Sequence, residues 1–212
     1  MNFKISWKLI SCPFNRHIFF LVLLSVAMPI SYATWSALIN NFVIEIAHFS
    51  GVEIGWLHSI REVPGFLAIG VILILFLISE QNLACLALIL LGFATGITAL
   101  LPSFKGLVLT TLLGSIGFHY FETVNQSLQL QWLSKEKAPI IMGLLISVGS
   151  FVSLAAYLVI VFGWKPLSFS FNFIYSIAGF LTVIISIIVL IGFKKFKTSK
   201  KKKTQFIVRK RY

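Results

Sequence analysis

The stretch SFSFNFIYSIAGFLTVIISIIVLIGF, residues 168–193, contains no charged residue and is followed at once by the lysine-rich run KKFKTSKKKK, residues 194–203. About 20 predominantly apolar residues are enough to carry a helix across the hydrocarbon core of a bilayer. Lysines that flank such a helix lie at the membrane surface, where they interact with lipid headgroups. The stretch is therefore long enough to span a membrane, and the lysines mark its end.

Five further segments have the same apolar character, and they cover residues 18–46, 54–78, 83–101, 106–132 and 140–162. A soluble domain of 212 residues cannot cover 58% hydrophobic residues with 11% charged ones, so the apolar surface must face lipid. The sequence predicts an all-α polytopic membrane protein with an N-terminal segment (1–17), a six-helix transmembrane domain (18–193) and a polybasic tail (194–212). Short connectors predict that consecutive helices pack as antiparallel neighbours.

The distribution of basic residues predicts the orientation of these spans. Of the eighteen Lys and Arg residues, fifteen lie in segments on one side, only Lys105 and Lys165 lie on the other, and Arg61 lies within the second span. Because cytoplasmic segments are enriched in Lys and Arg, both termini are expected in the cytoplasm. The net charge of +12 comes mostly from the tail, which is interpreted as binding anionic lipid rather than nucleic acid. A tail that docks RNA or protein is the alternative.

The first span also has a second interpretation, as a secretory signal. Lys4, Lys8 and Arg16 precede the apolar run 18–30, and Ser31-Tyr32-Ala33 resembles a cleavage site. Apolar residues continue past Ala33 as far as Ile44, which favours a retained span.

Polar side chains inside the fourth span form the main candidate site. His119, Glu122, Gln126 and Gln129 follow steps of three, four and three, so they lie on one helix face. From the rise of the helix, His119 and Glu122 are expected near the middle of the membrane. Transporters commonly bind substrate or protons at this depth. Glu122 is predicted to be a proton-linked group, with His119 one turn away as its proton partner, and Asn125 belongs to the same set. Interhelical hydrogen bonding alone is the alternative, and it is the preferred interpretation of Gln129 and Gln131 near the inner end of the span.

The second span contributes His58, Arg61 and Glu62, which are followed at once by Pro64 and Gly65. Arg61 is either neutralised by a carboxylate such as Glu62 or a fixed charge that attracts an anionic substrate. Pro64 removes a helical hydrogen bond and Gly65 permits close approach of another helix, so this pair is a hinge candidate.

Other residues complete the list of candidates and exclusions. Asn40 and Asn41, in the outer half of the first span, either line a cavity or hold helices together. Cys12 and Cys85 are placed for neither a disulfide nor a metal site, and no metal or cofactor is expected.

An enzyme is not expected either. The spans contain no zinc-binding His-Glu-x-x-His motif and no glycine-rich phosphate loop. Ser115 is available as a nucleophile on the fourth span, but no histidine follows His119 to act as its base. An intramembrane protease is therefore less favoured than a transport or accessory function.

Six spans, cytoplasmic termini, a polar fourth span and a basic segment after the sixth resemble the amino-terminal half of a major facilitator superfamily transporter. The strings IGWLHSIREVPGFL (54–67) and GFHYFETVNQSL (117–128) look like ones in poorly characterised bacterial members. In this chain Glu80 precedes Gln81 and Asn82 rather than the family's basic residues, and Thr110 takes the place of the family's fourth-helix arginine.

The resemblance implies a half-size transporter of a small solute in a bacterial inner membrane. Because the family has two six-helix halves, a homodimer or a second six-helix chain would complete this one. A non-transporting accessory subunit, or the remnant of a truncated transporter gene, is the alternative.

Overall fold

The computed structural model describes residues 15–164, 167–193 and 196, and these residues form helices and short connectors. The α-helices are α1 (Arg16–Glu45), α2 (Gly51–Phe66), α3 (Val71–Leu75), α4 (Glu80–Ile97), α5 (Phe104–Trp132), α6 (Ala138–Trp164) and α7 (Phe171–Gly192). A 3₁₀ segment, Leu67–Gly70, joins α2 to α3, and these together make one span. The prediction of six helices long and apolar enough to cross a membrane is confirmed.

Several sequence-based predictions fall outside the described residues. They concern Lys4, Lys8, Cys12, Lys165 and the polybasic tail, of which only Phe196 is described. The backbone N–H of Phe196 donates to Gln81 Oε1 at 3.1 Å. Its ring lies 4.1 Å from that of His17. Phe196 is therefore held against the beginnings of α1 and α4.

Serine caps define the starts of three helices at the same end of the bundle. Ser50 and Glu53 form a capping box at α2, in which the Ser50 N–H donates to Glu53 Oε2 at 2.8 Å. Ser103 accepts from the backbone N–H of Gly106 at α5, and Ser170 caps α7 in the same way. These side chains satisfy N–H groups that a helix start leaves without intrahelical partners.

The prediction that consecutive helices pack as neighbours is wrong for most pairs. The main contacts follow the order α6, α1, α7, α4, α5, α2, so only α4 and α5 are both consecutive and closely packed. Short connectors restrict how far apart two helix ends can lie, but they do not decide which faces meet. Small residues decide that here, because they let backbones approach.

This order of contacts has an internal symmetry. If the first three spans are exchanged with the last three, α1 corresponds to α5, α2 to α6 and α4 to α7. This exchange gives the same contact order read in the opposite direction. Three spans separate the partners, so each partner crosses the membrane in the opposite direction. The contacts therefore follow the pattern of an inverted repeat, although no residue-level repeat is visible in the sequence.

The α4–α7 contact is the closest approach of this arrangement. Gly92 and Gly96, one turn apart on α4, face Gly179 on α7, and a Cβ on Gly179 would lie 2.6 Å from Gly96 Cα. Next to this crossing, Ser31 Oγ on α1 donates to Thr182 Oγ1 on α7 at 2.8 Å. Thr182 in turn donates to the carbonyl of Ala27 at 3.1 Å. These buried hydroxyls join α1 to the same central unit.

The two helices at the ends of the contact order are the least covered by the rest of the chain. Only 6% of the best apolar window of α6 is buried and 17% of that in the α2–α3 span, against 50% for α1. Helices α6 and α2 thus lie at the edges of the bundle, α6 against α1 and α2 against α5.

Candidate functional site

A polar cavity of about 170 Å³ lies between α1, α2, α4 and α5. It combines two charged side chains, several hydroxyl groups, a histidine and aromatic rings. Its walls are formed by Tyr32, Trp35, Arg61, Glu62, Leu91, Thr95, Thr110, Thr111, Gly114, Ser115, Phe118 and His119. We call it the charged cavity.

An ion pair between consecutive residues forms one wall of the charged cavity. Arg61 donates from Nε at 2.9 Å and from Nη2 at 2.7 Å, and both bonds go to Glu62 Oε1. The guanidinium carbon also lies 5.7 Å from the ring centroid of Trp35 on α1, a cation–π arrangement. Of the two interpretations of Arg61, local neutralisation by Glu62 is the one present in this structure.

Helix α5 supplies three hydroxyl-bearing residues of the charged cavity, Thr110, Thr111 and Ser115. Ser115 Oγ donates to the backbone carbonyl of Arg61 and so ties α5 to the helix that holds the ion pair. Thr111, one turn away, is 2% exposed, and its Oγ1 has no hydrogen-bond partner among the described residues. A buried hydroxyl without a partner is costly, so a ligand that bonded to this group would remove that cost.

His119 closes the charged cavity against the hinge candidate of α2. Helix α2 continues through Pro64 to Phe66, where the 3₁₀ segment begins, and the His119 ring packs directly on Gly65. The predicted close approach at Gly65 is therefore present, and the approaching group is a histidine side chain. Motion about Pro64 and Gly65 stays a prediction.

A methyl group at Gly65 is expected to push on His119, because its Cβ would lie 3.0 Å from the ring Cε1. The control is Gly55→Ala on the same helix, where nothing lies within 4 Å. Relative to this control, Gly65→Ala should lower the free energy of unfolding in detergent by roughly 1 kcal/mol. The difference should vanish in a His119→Ala background. A difference that survives removal of the imidazole would contradict this contact.

The remaining α5 candidates line a second cavity, of about 500 Å³, between α1, α5 and α6. Glu122, Asn125, Gln126 and Gln129 all face it, and we call it the amide cavity. Asn125 is 8% exposed, and its Oδ1 has no partner among the described residues. Gln126 interacts through its side chain with the half-buried carboxyl group of Glu122.

The predicted polar stripe is therefore divided between two cavities. His119 lines the charged cavity, whereas Glu122 lines the amide cavity, and no hydrogen bond joins them in the described part of the chain. Tyr32 lines both cavities, and its ring stacks on Phe118 with centroids 4.3 Å apart. Proton exchange between His119 and Glu122 stays a prediction, and the Tyr32 side chain lies on the boundary it would cross.

The candidate residues in the outer half of the first two spans, His58, Asn40 and Asn41, do not share one site. His58 Nε2 donates to Asn40 Oδ1 at 2.9 Å, which links α2 to α1. Asn41 lies on another face of α1, in an apolar groove with Tyr157 and Trp164 of α6. The His58–Asn40 bond fits the packing interpretation of these residues, and only His58 and Asn40 of this group meet each other.

Glu80 is a structural residue that the sequence interpretation did not single out as part of a network. Ser127 Oγ donates to Glu80 Oε1 at 2.8 Å, and Gln131 Nε2 lies 2.7 Å from both carboxylate oxygens. These bonds join the start of α4 to the last turns of α5. This contact could have been predicted from the sequence, because Glu80 and Gln131 both lie at the predicted inner ends of consecutive antiparallel spans.

Removing this carboxylate is expected to loosen the α4–α5 contact. Hydrogen bonds to a charged group contribute about 1.5–3 kcal/mol, so Glu80→Ala should lower the free energy of unfolding by roughly 2 kcal/mol. Asn82→Ala is the control, because Asn82 has no side-chain hydrogen bond among the described residues and lies on the same turn. Equal effects of the two substitutions in a denaturant titration would contradict a network centred on Glu80.

These features define a polytopic membrane protein of six spans with two polar cavities on either side of Tyr32. Comparisons with protein-family models, with curated proteins and with solved structures found no match.

Proposed function

We propose that the protein is a half-size transporter of the major facilitator type, which moves a small solute across a bacterial inner membrane. The observation that supports this most directly is the charged cavity. Arg61 and Glu62 lie within a membrane-spanning helix and line a cavity that also contains the unpartnered hydroxyl of Thr111. Ionisable groups at such depth are costly in lipid and characteristic of solute or ion pathways.

The helix arrangement supports the same class. The contact order is symmetric under exchange of the first and last three spans, as expected of the three-plus-three inverted repeats within one half of such a transporter. In this proposal the termini are cytoplasmic, and the lysine-rich tail binds anionic lipid.

A second six-helix unit completes the transporter in this proposal. The Glu62 side chain is 52% exposed and Gln126 is also exposed, although both lie within spans where lipid would leave them unsolvated. Glu62 lies on α2, Gln126 faces the amide cavity beside α6, and these two helices are the least covered by the chain itself. A homodimer, or a second chain of the same architecture, would cover both helices and enclose the two cavities between the units.

Glu122 is the proton-linked group in this proposal. Its carboxyl group lies in the amide cavity together with Asn125, whose amide oxygen has no hydrogen-bond partner among the described residues, and away from the ion pair of Arg61 and Glu62. A carboxyl group without a cationic partner can exist in a protonated form inside a membrane, and it can therefore take up and release a proton during transport.

The experiment that tests the proposal is the oligomeric mass of the purified protein in lipid nanodiscs, followed by flux measurements in proteoliposomes. A homodimer, or a co-purifying six-helix chain, together with solute-dependent flux is the expected result. A monomer without flux of any tested amino acid, sugar or carboxylate would contradict it and favour the accessory subunit or transporter remnant.

A further inference from the structure

The geometry points to a small zwitterion, with a primary ammonium and a carboxylate group on about six heavy atoms, as the solute of the charged cavity. Its carboxylate would bind Arg61 and Thr111, and its ammonium group would bind Glu62. The inference rests on the proposed function and names the substrate class of the same site.

The ion pair leaves one polar atom of each partner without a hydrogen bond among the described residues. Both hydrogen bonds between Arg61 and Glu62 end on Glu62 Oε1. Arg61 Nη1 and Glu62 Oε2 have no hydrogen bond among the described residues, so one cationic donor and one anionic acceptor remain side by side. The cation–π contact with Trp35 holds the guanidinium group in this orientation. A ligand with both charges can pair with both groups at once.

The net charge of the cavity argues against a ligand with a single charge. The opposite charges of Arg61 and Glu62 cancel, so an anion drawn to Arg61 is repelled by Glu62, and a cation meets the reverse. His119 and Tyr32 are the other titratable side chains that line the cavity, and Ser115, Thr110 and Thr111 add neutral hydroxyl groups. A zwitterion keeps the cavity neutral and leaves neither charge without a counter-charge.

The unpartnered hydroxyl adds a third contact. Thr111 Oγ1 is buried without a partner in the described structure, on the helix turn next to Ser115, whose own hydroxyl is already bonded to the Arg61 carbonyl. A hydroxyl group can donate to a carboxylate oxygen. Thr111 is therefore the group that completes the carboxylate site beside Arg61.

Volume limits the size of the ligand. The cavity of about 170 Å³ is close to the roughly 150 Å³ at which an engineered protein cavity holds benzene, so it accepts about six heavy atoms. Glycine and alanine meet this limit and leucine exceeds it. The rings of Trp35, Tyr32 and Phe118 supply an apolar wall for a methyl group.

Calorimetric titration of the full chain in nanodiscs tests the class of ligand. L-alanine is expected to bind, whereas propionate, which lacks the ammonium group, and ethylamine, which lacks the carboxylate, should bind roughly 10- to 100-fold more weakly. L-leucine, which exceeds the volume of the cavity, should bind more weakly than L-alanine. Equal affinity for propionate and alanine, or no binding of glycine and alanine, would overturn the inference.

Variants test the location. Glu62→Gln and Thr111→Val are each expected to weaken alanine binding roughly tenfold or more, whereas Ser59→Ala should leave it unchanged. Ser59 lies on the same helix, but its hydroxyl is bonded to the carbonyl of Gly55 in its own helix. Unchanged alanine affinity in both Glu62→Gln and Thr111→Val would exclude this cavity as the binding site.

A size variant keeps the test independent of the ion pair. A Cβ on Gly114 would lie 3.6 Å from that of Ala94, an ordinary contact, so Gly114→Ala is expected to fold. The added methyl group reduces the volume of the cavity, so it should weaken alanine binding more than glycine binding. Equal loss for both amino acids would contradict the size argument.

Flux measurements separate this inference from the proposed function. Flux of another solute without alanine binding would contradict the zwitterion as ligand and still support the transport function. If a monomeric protein bound alanine but did not transport it, the binding site would be supported and the transport function would be contradicted.

Discussion

Replacement of Gly179 by alanine is expected to lower the free energy of unfolding of the bundle by roughly 1–3 kcal/mol, the usual range for overpacking. The new methyl group would meet the carbonyl oxygen of Gly92 and would lie 2.6 Å from both Cα and N of Gly96. These are backbone atoms, which cannot rotate aside as a flexible side chain can. Helices α4 and α7 would have to separate, and the measurement is the unfolding temperature of the purified protein in mild detergent.

The matched control is Gly143→Ala on α6. A Cβ there has nothing within 4 Å, so the substitution should be neutral or stabilise the helix by up to about 1 kcal/mol through helix propensity. Any general effect of a glycine-to-alanine change in a membrane helix is thus removed by comparison. An unfolding temperature that is equal for the two variants would show that the α4–α7 approach does not limit stability.

The second large effect is expected for Glu122→Gln, which should reduce solute-dependent proton flux to the background of empty liposomes. Glutamine has nearly the same shape and can keep a side-chain contact with Gln126, but it cannot release a proton. The measurement uses a pH-sensitive dye trapped in proteoliposomes, to which a mixture of amino acids, sugars and carboxylates is added. Membrane insertion and oligomeric mass should equal those of the unsubstituted protein.

Glu136→Gln is the control for this loss. Glu136 is exposed in the connector between α5 and α6, so its neutralisation removes the same charge outside the cavities. This variant should retain full flux. Full flux from Glu122→Gln would instead exclude Glu122 as the coupling group and direct attention to His119 in the charged cavity.

The spans themselves could be predicted because their signal is local. The fourth span was expected at 106–132 and is helix α5, Phe104–Trp132, and the other five agree to within a few residues at most ends. Hydrophobic length depends only on the residues in one segment. The second span is a partial exception, since the 3₁₀ segment after Phe66 breaks a run of residues that is continuously apolar.

The candidate site was predicted only in part. The pairing of Arg61 with Glu62 was one of two interpretations, and their meeting with His119 required the contact at Gly65. Tyr32, Trp35 and Thr111 were missed, because an aromatic ring or a hydroxyl within an apolar run is as common against lipid or in a helix contact as in a cavity. Their role depends on α2 and α5, which are distant in the sequence.

The sequence by itself determined the number, length and apolar character of the spans, because crossing a hydrocarbon layer imposes the same demand on each helix separately. Tertiary structure alone decided which helices meet and which polar groups share a cavity. Lipid is as apolar as the helix surfaces, so burial does not select partners, and close approach at Gly92, Gly96 and Gly179 does. That packing separates His119 from Glu122 and brings Arg61, Glu62 and Thr111 around one cavity.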